Sequence, residues 1–303
     1  IGDDLNTIGD AGFTPRLARS WRWASDSLSI AFALDPAARW HDGRPVRAGD
    51  VKYSFALIKD PKTGSMTTPL VANIDSVSVR DSLTAVFWFA KRSPEQFYDA
   101  TYQLYVVPEH VYGGVAHEAL KTADVARTPV GSGRFRFARW EPGSRIELVA
   151  DTATYRGRAK LDRVIWTIVA DPTAALARIK AGEADFFEFV LPSQVPELTQ
   201  TGTIRVLPYP ALQYAFMGMN QRAPKAQRPH PVFGDAAVRR ALSMAVDRRG
   251  MLRNVYDTLG KPSYGPFPAS LGAADTTIPL PPYDVNAARA LLDSAGWRAG
   301  ADG

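Results

Sequence analysis

The sequence contains no cysteine. That absence excludes disulfides, thiolate metal sites and cysteine nucleophiles together. Long apolar runs are missing as well. The longest are short stretches such as 85–90, Ala-Val-Phe-Trp-Phe-Ala, far below the ~20 residues that cross a bilayer. No HExxH, GxSxG or Walker A pattern occurs, so metalloprotease, nucleophile-elbow and P-loop chemistry find no support. Histidine is scarce. His41, His110, His117 and His230 stand singly, without Asp or Glu at ligand spacing, so no metal and no cofactor are expected. The chain opens on Ile1 rather than Met. A processed or trimmed N-terminus is expected, and no signal peptide can be read from what remains.

Charge of one sign is also lacking. Lys and Arg number 36 against 31 Asp and Glu, for a net +5. The densest basic groups are Arg134, Arg136 and Arg139, and Arg239, Arg240, Arg248 and Arg249. They sit beside acidic residues and read as solvated surface. Nucleic acid is not an expected partner, because that function clusters its charge and interleaves aromatics. Nearly half of the 303 residues are apolar, an ordinary globular composition with material for a sizeable core.

What is present is a mixture of strand and helix patterns. Leu28, Ile30, Phe32 and Leu34 alternate with small residues, a period-2 strand. His41-Asp42-Gly43-Arg44-Pro45 reads as a turn. Asp50 is expected to cap a helix over 51–59, which Asp60-Pro61 ends. Residues 74–79 and 83–89 read as a hairpin, and Ser93-Pro94-Glu95 as a helix start. Gly131-Ser132-Gly133 leads into strands over 134–140, 145–150 and 164–169. Asp171, Asp235 and Asp284 are expected N-caps of helices from 172, over 236–247 and from 285, with Gly182 and Gly296 as stops. Each such cap contributes about 1 kcal/mol. Short strands are expected at 185–190, 204–208 and 214–220, and an extended Pro- and Gly-rich loop over 260–283.

Five segments, in order along nearly the whole chain, carry a resemblance. The first is Pro15, Leu17, Ala18 and Trp21, running into Trp40-His41-Asp42-Gly43-Arg44-Pro45 and Ala48, Asp50 and Val51. The second is Pro129-Val130-Gly131-Ser132-Gly133 with Phe135, Trp140 and Tyr155. The third is Gly182-Glu183-Ala184-Asp185. The fourth is Met219-Asn220, followed by Asp235 through Leu242 and by Asp247. The last is Tyr283-Asp284 through Ala295-Gly296-Trp297. Together they resemble the family 5 extracellular solute-binding proteins, which include dipeptide, oligopeptide and nickel receptors. Asp35 stands where that family usually has Arg, and Ser132 where it has Thr.

The resemblance implies an α/β, two-lobed fold of the type II periplasmic binding protein kind. A small α+β domain over 19–127 is inserted into a first lobe made of 1–18 and 128–237. Residues 238–303 begin a second lobe that is incomplete here, since family members are longer. It implies an extracytoplasmic receptor, a monomer, that captures a small solute, most readily a peptide, and hands it to the membrane permease subunits of an ABC importer. It is compatible with a lipid anchor ahead of Ile1 and with no enzymatic role. The competing expectation is a ligand-sensing domain of a regulatory or signalling protein.

In the expected strand 214–220, Tyr214, Phe216 and Gly218 share one face, and Met217 and Met219 the other. The resemblance places this strand at the border of the solute pocket. The ligand-binding candidates are Tyr214, Phe216, Gly218, Met219 and Asn220, joined by Phe187 and Glu188. The plain alternative keeps both faces in a core and makes Asn220 a strand end. Glu188 would suit a cationic group on the solute.

Overall fold

The alternation at 28–34 makes a strand, and the elements that pack on it are set by what it must bury. A computed structural model of the chain describes residue 10 and residues 12–223, 228–268, 274–298 and 300. Residues 1–9 and 11 of the expected first-lobe segment, 224–227 further along that expected lobe, 269–273 of the expected loop, and 299 and 301–303 of the expected second lobe lie outside the described residues. The chain forms two units, Ile1–Val169 and Ala170–Gly303.

In the first unit, β1 (Ala18–Trp23) and β2 (Ser29–Leu34) pair antiparallel. Helix α1 (Ala48–Lys59), β3 (Ile74–Asp81), β4 (Thr84–Phe89) and α2 (Gln96–Thr101) follow. The sheet order is β1-β2-β4-β3. Its register sets Trp21 opposite Phe32, Ile30 opposite Phe87 and Val77 opposite Phe87, so these side chains share one face. Val51 and Phe55 of α1 and Phe97 and Ala100 of α2 cover that face and complete one core. Phe97 sits at its centre. Its ring lies 4.7 Å from Phe13, 5.0 Å from Trp21 and 5.7 Å from Phe32, centroid to centroid. Buried Gln96 fixes this helix to the first hairpin by donating to the Ser27 carbonyl and accepting the Ser93 N–H.

Asp50 is not the helix cap that its place in the sequence suggests. Helix α1 starts earlier, at Ala48, with Arg47 as N-cap. Asp50 occupies the third helical position, where a carboxylate can reach back to the cap backbone and face the positive end of the helix dipole. Its Oδ2 accepts the Arg47 N–H at 2.8 Å and the Trp40 indole N–H at 3.2 Å. Its Oδ1 accepts the Glu109 N–H at 3.0 Å, where the short helix α3 (Glu109–Tyr112) begins. One buried carboxylate thus joins three separate stretches of chain.

Two surface histidines close further contacts. His110 lies 2.5 Å from the Asp42 carboxylate and His117 lies 2.6 Å from that of Asp60. Burial pushes the Asp42 carboxyl up. The His110 hydrogen bond, the Arg44 N–H and the neighbouring positive charges outweigh it and hold the group below its usual value. Asp60 is also held below its usual value, first by the Lys62 N–H and then by His117. A carboxyl whose folded-state value is depressed stabilises the fold above the unfolded value and loses that contribution as pH falls through the folded one. The melting temperature should therefore drop as pH falls below about 4. An Asp42→Asn, Asp60→Asn double variant should show a shallower acid limb in a melting series from pH 5 to pH 2.5. An unchanged limb would mean that these pairs do not report acid stability.

After α4 (Asp124–Arg127), a second antiparallel sheet forms from β5 (Phe135–Glu141), β6 (Arg145–Ala150) and β7 (Arg163–Thr167). One face carries Phe137, Leu148 and Val164, and also Trp140, Ile146 and Trp166. The other carries arginines paired with acids: Arg139 and Arg145 with Glu141, and Arg163 with Glu147. Of the basic group at 134–139, Arg139 lies in such a pair and Arg134 donates to the Arg156 carbonyl. His41 docks this part of the chain on the first sheet's turn. Its N–H donates to the Gly131 carbonyl at 2.8 Å, its Nδ1 accepts the Gly131 N–H at 3.2 Å, and its Nε2 lies 3.1 Å from the Gly133 carbonyl. With Nδ1 accepting, Nε2 carries the proton and donates. A Cβ on Gly131 would stand 3.1 Å from the imidazole, so glycine is what lets the ring lie against the backbone.

The second unit holds α5 (Pro172–Lys180), α6 (Val195–Gln200), α7 (Ala236–Ala245), α8 (Arg248–Tyr256) and α9 (Val285–Ser294). Asp171, Asp235 and Asp284 accept the N–H groups of Ala174, Ala237 and Ala287, so all three act as caps. The helix expected over 236–247 ends at Ala245. Asp247 starts α8 instead, accepting the Gly250 N–H at 2.8 Å, because an aspartate is favoured at a helix start and disfavoured at a helix end. Val238 and Ala241 of α7 and Ala288 of α9 are buried, and the Asp284 N–H bonds to the Met244 carbonyl. The described residues of 260–283 form neither helix nor strand.

Candidate functional site

All seven candidates lie in the second unit, on the segments between its helices. The strands expected at 185–190, 204–208 and 214–220 do not form. A strand persists only where a neighbour takes its N–H and C=O groups. Among the described residues of this unit the one bridge is an isolated pairing of Arg222 with Pro229. Next to it the Gln221 carbonyl accepts the His230 N–H at 2.9 Å, which anchors the end of the 214–220 segment.

Tyr214, Phe216 and Gly218 nevertheless lie together. The two rings stand 5.5 Å apart, and a Cβ on Gly218 would meet the Phe216 ring at 3.7 Å. Phe216 is 77% exposed, Asn220 is exposed, and Met219 is half-buried. On the earlier segment Phe187 is half-buried and Glu188 exposed, between Phe186 at 78% and Phe189 at 77% exposure. Among the described residues, no hydrogen bond or ring pair links 187–188 to 214–220. Large exposed apolar side chains in such density are the kind that a ligand, a partner or further polypeptide covers. They are suited to enclosing an apolar solute portion, with a few polar groups to orient it.

One residue that the sequence reading passed over belongs here. Tyr209 donates its hydroxyl to Glu188 Oε1 at 3.3 Å, tying the 185–191 segment to the 204–210 segment. Its setting, Pro208-Tyr209-Pro210, was the available signal: an aromatic held in a stiff extended stretch. The histidines are occupied elsewhere. His230 Nδ1 accepts the N–H groups of Val232 and Phe233. Among the described residues, no group of three His, Asp or Glu side chains is placed to hold a metal ion, and no helix is long and apolar enough to cross a membrane.

Residues 12–303 match the family described as bacterial extracellular solute-binding proteins, family 5. A Brucella ovis protein named for peptide binding in an ABC transporter is 31% identical over 297 residues, covering 96% of this chain and 52% of its own length. The oligopeptide-binding protein AppA of Bacillus subtilis, solved with a nonapeptide, superposes with a TM-score of 0.77 at 25% identity. That match covers 94% of this chain and 56% of AppA. NikZ of Campylobacter jejuni, solved with Ni(L-His), also gives 0.77 at 26% identity, over 99% of this chain and 59% of its own. The chain thus spans about half the length of the curated relatives it matches. With its mixed helices and sheets it has the α/β fold of the type II periplasmic binding proteins, and it belongs to the family 5 bacterial extracellular solute-binding proteins.

Proposed function

We propose that the polypeptide carrying this chain is an extracytoplasmic receptor that captures a small solute, a peptide in the first instance, between two lobes. It then delivers the solute to the permease subunits of an ABC importer, and acts as a monomer without catalysis. The observation that carries this reading is the family match across 12–303. It is supported by the density of exposed aromatic side chains on the candidate segments, Phe186, Phe189, Tyr209 and Phe216 among them. In this reading 1–18 and 128–237 belong to the first lobe, 19–127 to the inserted domain, and 238–303 to the second lobe. The polar members, Glu188 and Asn220, orient the solute, and the aromatic members enclose it.

The test is a melting screen of the full natural polypeptide against dipeptides, oligopeptides, nickel chelates and oligosaccharides. A ligand that binds only the folded state adds RT ln(1 + [L]/Kd), about 2.7 kcal/mol at a hundredfold excess over Kd. A clear upward shift with peptides is the expected result. A shift with nickel chelates or sugars alone would replace the solute class, and no shift with any class would overturn the receptor reading.

A further inference from the structure

Resting on that receptor reading, we propose that Glu188, oriented by Tyr209, is a specificity-determining pair that selects a solute bearing an ammonium or guanidinium group. Glu188 interrupts an apolar run, with Phe186, Phe187 and Phe189 around it. It caps no helix, and among the described residues it has no ion pair. In a chain with net charge +5, this exposed carboxylate is flanked by aromatics and, beyond its bond from Tyr209, is left without a cation among the described residues.

The charged residues near it along the chain leave this role open. Lys180, the nearest lysine along the chain, is bound to Glu197. Arg205, on the same segment as Tyr209, makes no ion pair with Glu188 among the described residues. Asp185, three residues earlier on the same segment, is a second acidic residue. Tyr209 donates to Oε1, which fixes the carboxylate and leaves Oε2 free to accept from a solute. The Tyr209 ring is 67% exposed and offers a face for a cation. The exposed rings of Phe186 and Phe189 suit the apolar stem that carries such a group. A charge-assisted hydrogen bond and aromatic faces together recognise a cation on an apolar stem better than a neutral or acidic group.

The cation can be a lysine-like side chain or a peptide amino terminus, and three probes separate these sources: Ala-Ala-Ala, Ala-Lys-Ala and N-acetyl-Ala-Ala-Ala. Calorimetry on the full natural polypeptide should show one of two patterns. If the side chain is read, Ala-Lys-Ala binds about tenfold tighter than Ala-Ala-Ala. If the amino terminus is read, acetylation weakens binding by about the same factor. Glu188→Gln should abolish that difference. Tyr209→Phe should narrow the difference without abolishing it. Equal affinities for all three probes, or a difference that survives Glu188→Gln, would overturn the role of Glu188 and leave peptide reception standing. Failure of every peptide to bind would overturn both.

Discussion

Replacing Phe97 by alanine should remove about 3–5 kcal/mol of stability from the first unit. The ring is 1% exposed and touches Phe13, Trp21, Trp23 and Phe32 within 6.5 Å between centroids. Its contacts come from both sides: the strand aromatics of β1 and β2, and the entering chain at Phe13. Truncation leaves a void that these rigid rings cannot close, so the cavity cost adds to the lost burial. Aromatic pairs contribute about 0.5–1.5 kcal/mol beyond area, which places this site at the upper end. For a unit of this size the melting temperature should fall by roughly 10 °C or more. Phe97→Leu retains most of the volume and should cost less than about 2 kcal/mol. Urea unfolding followed by tryptophan emission reads the loss, with Trp21 and Trp23 flanking the ring. A loss below 1 kcal/mol for the alanine variant would mean that α2 is not seated on this sheet.

Asp50→Asn is the second large effect, and it removes no volume. Three donors converge on the carboxylate: the Arg47 and Glu109 N–H groups and the Trp40 indole. Both oxygens are engaged, and an amide offers only one acceptor atom. Whichever way it is turned, an NH₂ group faces a buried N–H. The expected cost is about 2–4 kcal/mol, from one or more unsatisfied donors and the loss of charge-assisted bonds. Asp50→Ala should cost at least as much. The readout that separates this network from a simple helix cap is amide exchange. The Glu109 N–H, 59 residues away in sequence, should lose protection in the Asn variant. Protection kept at Glu109 with a cost near 1 kcal/mol would reduce Asp50 to a local cap.

The period-2 pattern at 28–34 and the hairpin at 74–89 were readable because each strand has a buried face, so its alternation is imposed by packing. The caps at Asp171, Asp235 and Asp284 were readable because a capping carboxylate bonds within three residues of itself. Asp50 misled for the opposite reason: two of its partners, Trp40 and Glu109, lie at distances in sequence that no local rule covers. His41 is the turn residue that the sequence suggests, but its bonds to Gly131 and Gly133 were not readable, since they span about ninety positions. The strand expected at 214–220 failed where a strand depends on something other than its own residues, namely a neighbour to complete its ladder.

The candidate site divides along the same line. The aromatic spacing of Tyr214 and Phe216 was plain from the residues, and their rings do lie side by side. Tyr209 could not be joined to Glu188 from twenty-one positions away, because that bond exists only once two coil segments are laid against each other. What the residues determined unaided is the helix starts at Gln96, Pro172, Ala236 and Val285, which rest on local spacing, and the family, whose ordered motifs imply the α/β fold. What tertiary structure alone decided is which buried polar atoms meet: Asp50 with three stretches of chain, His41 with a turn, Glu188 with Tyr209. The physical reason is that a hydrogen bond depends on distance in space, while a sequence records only distance along the chain.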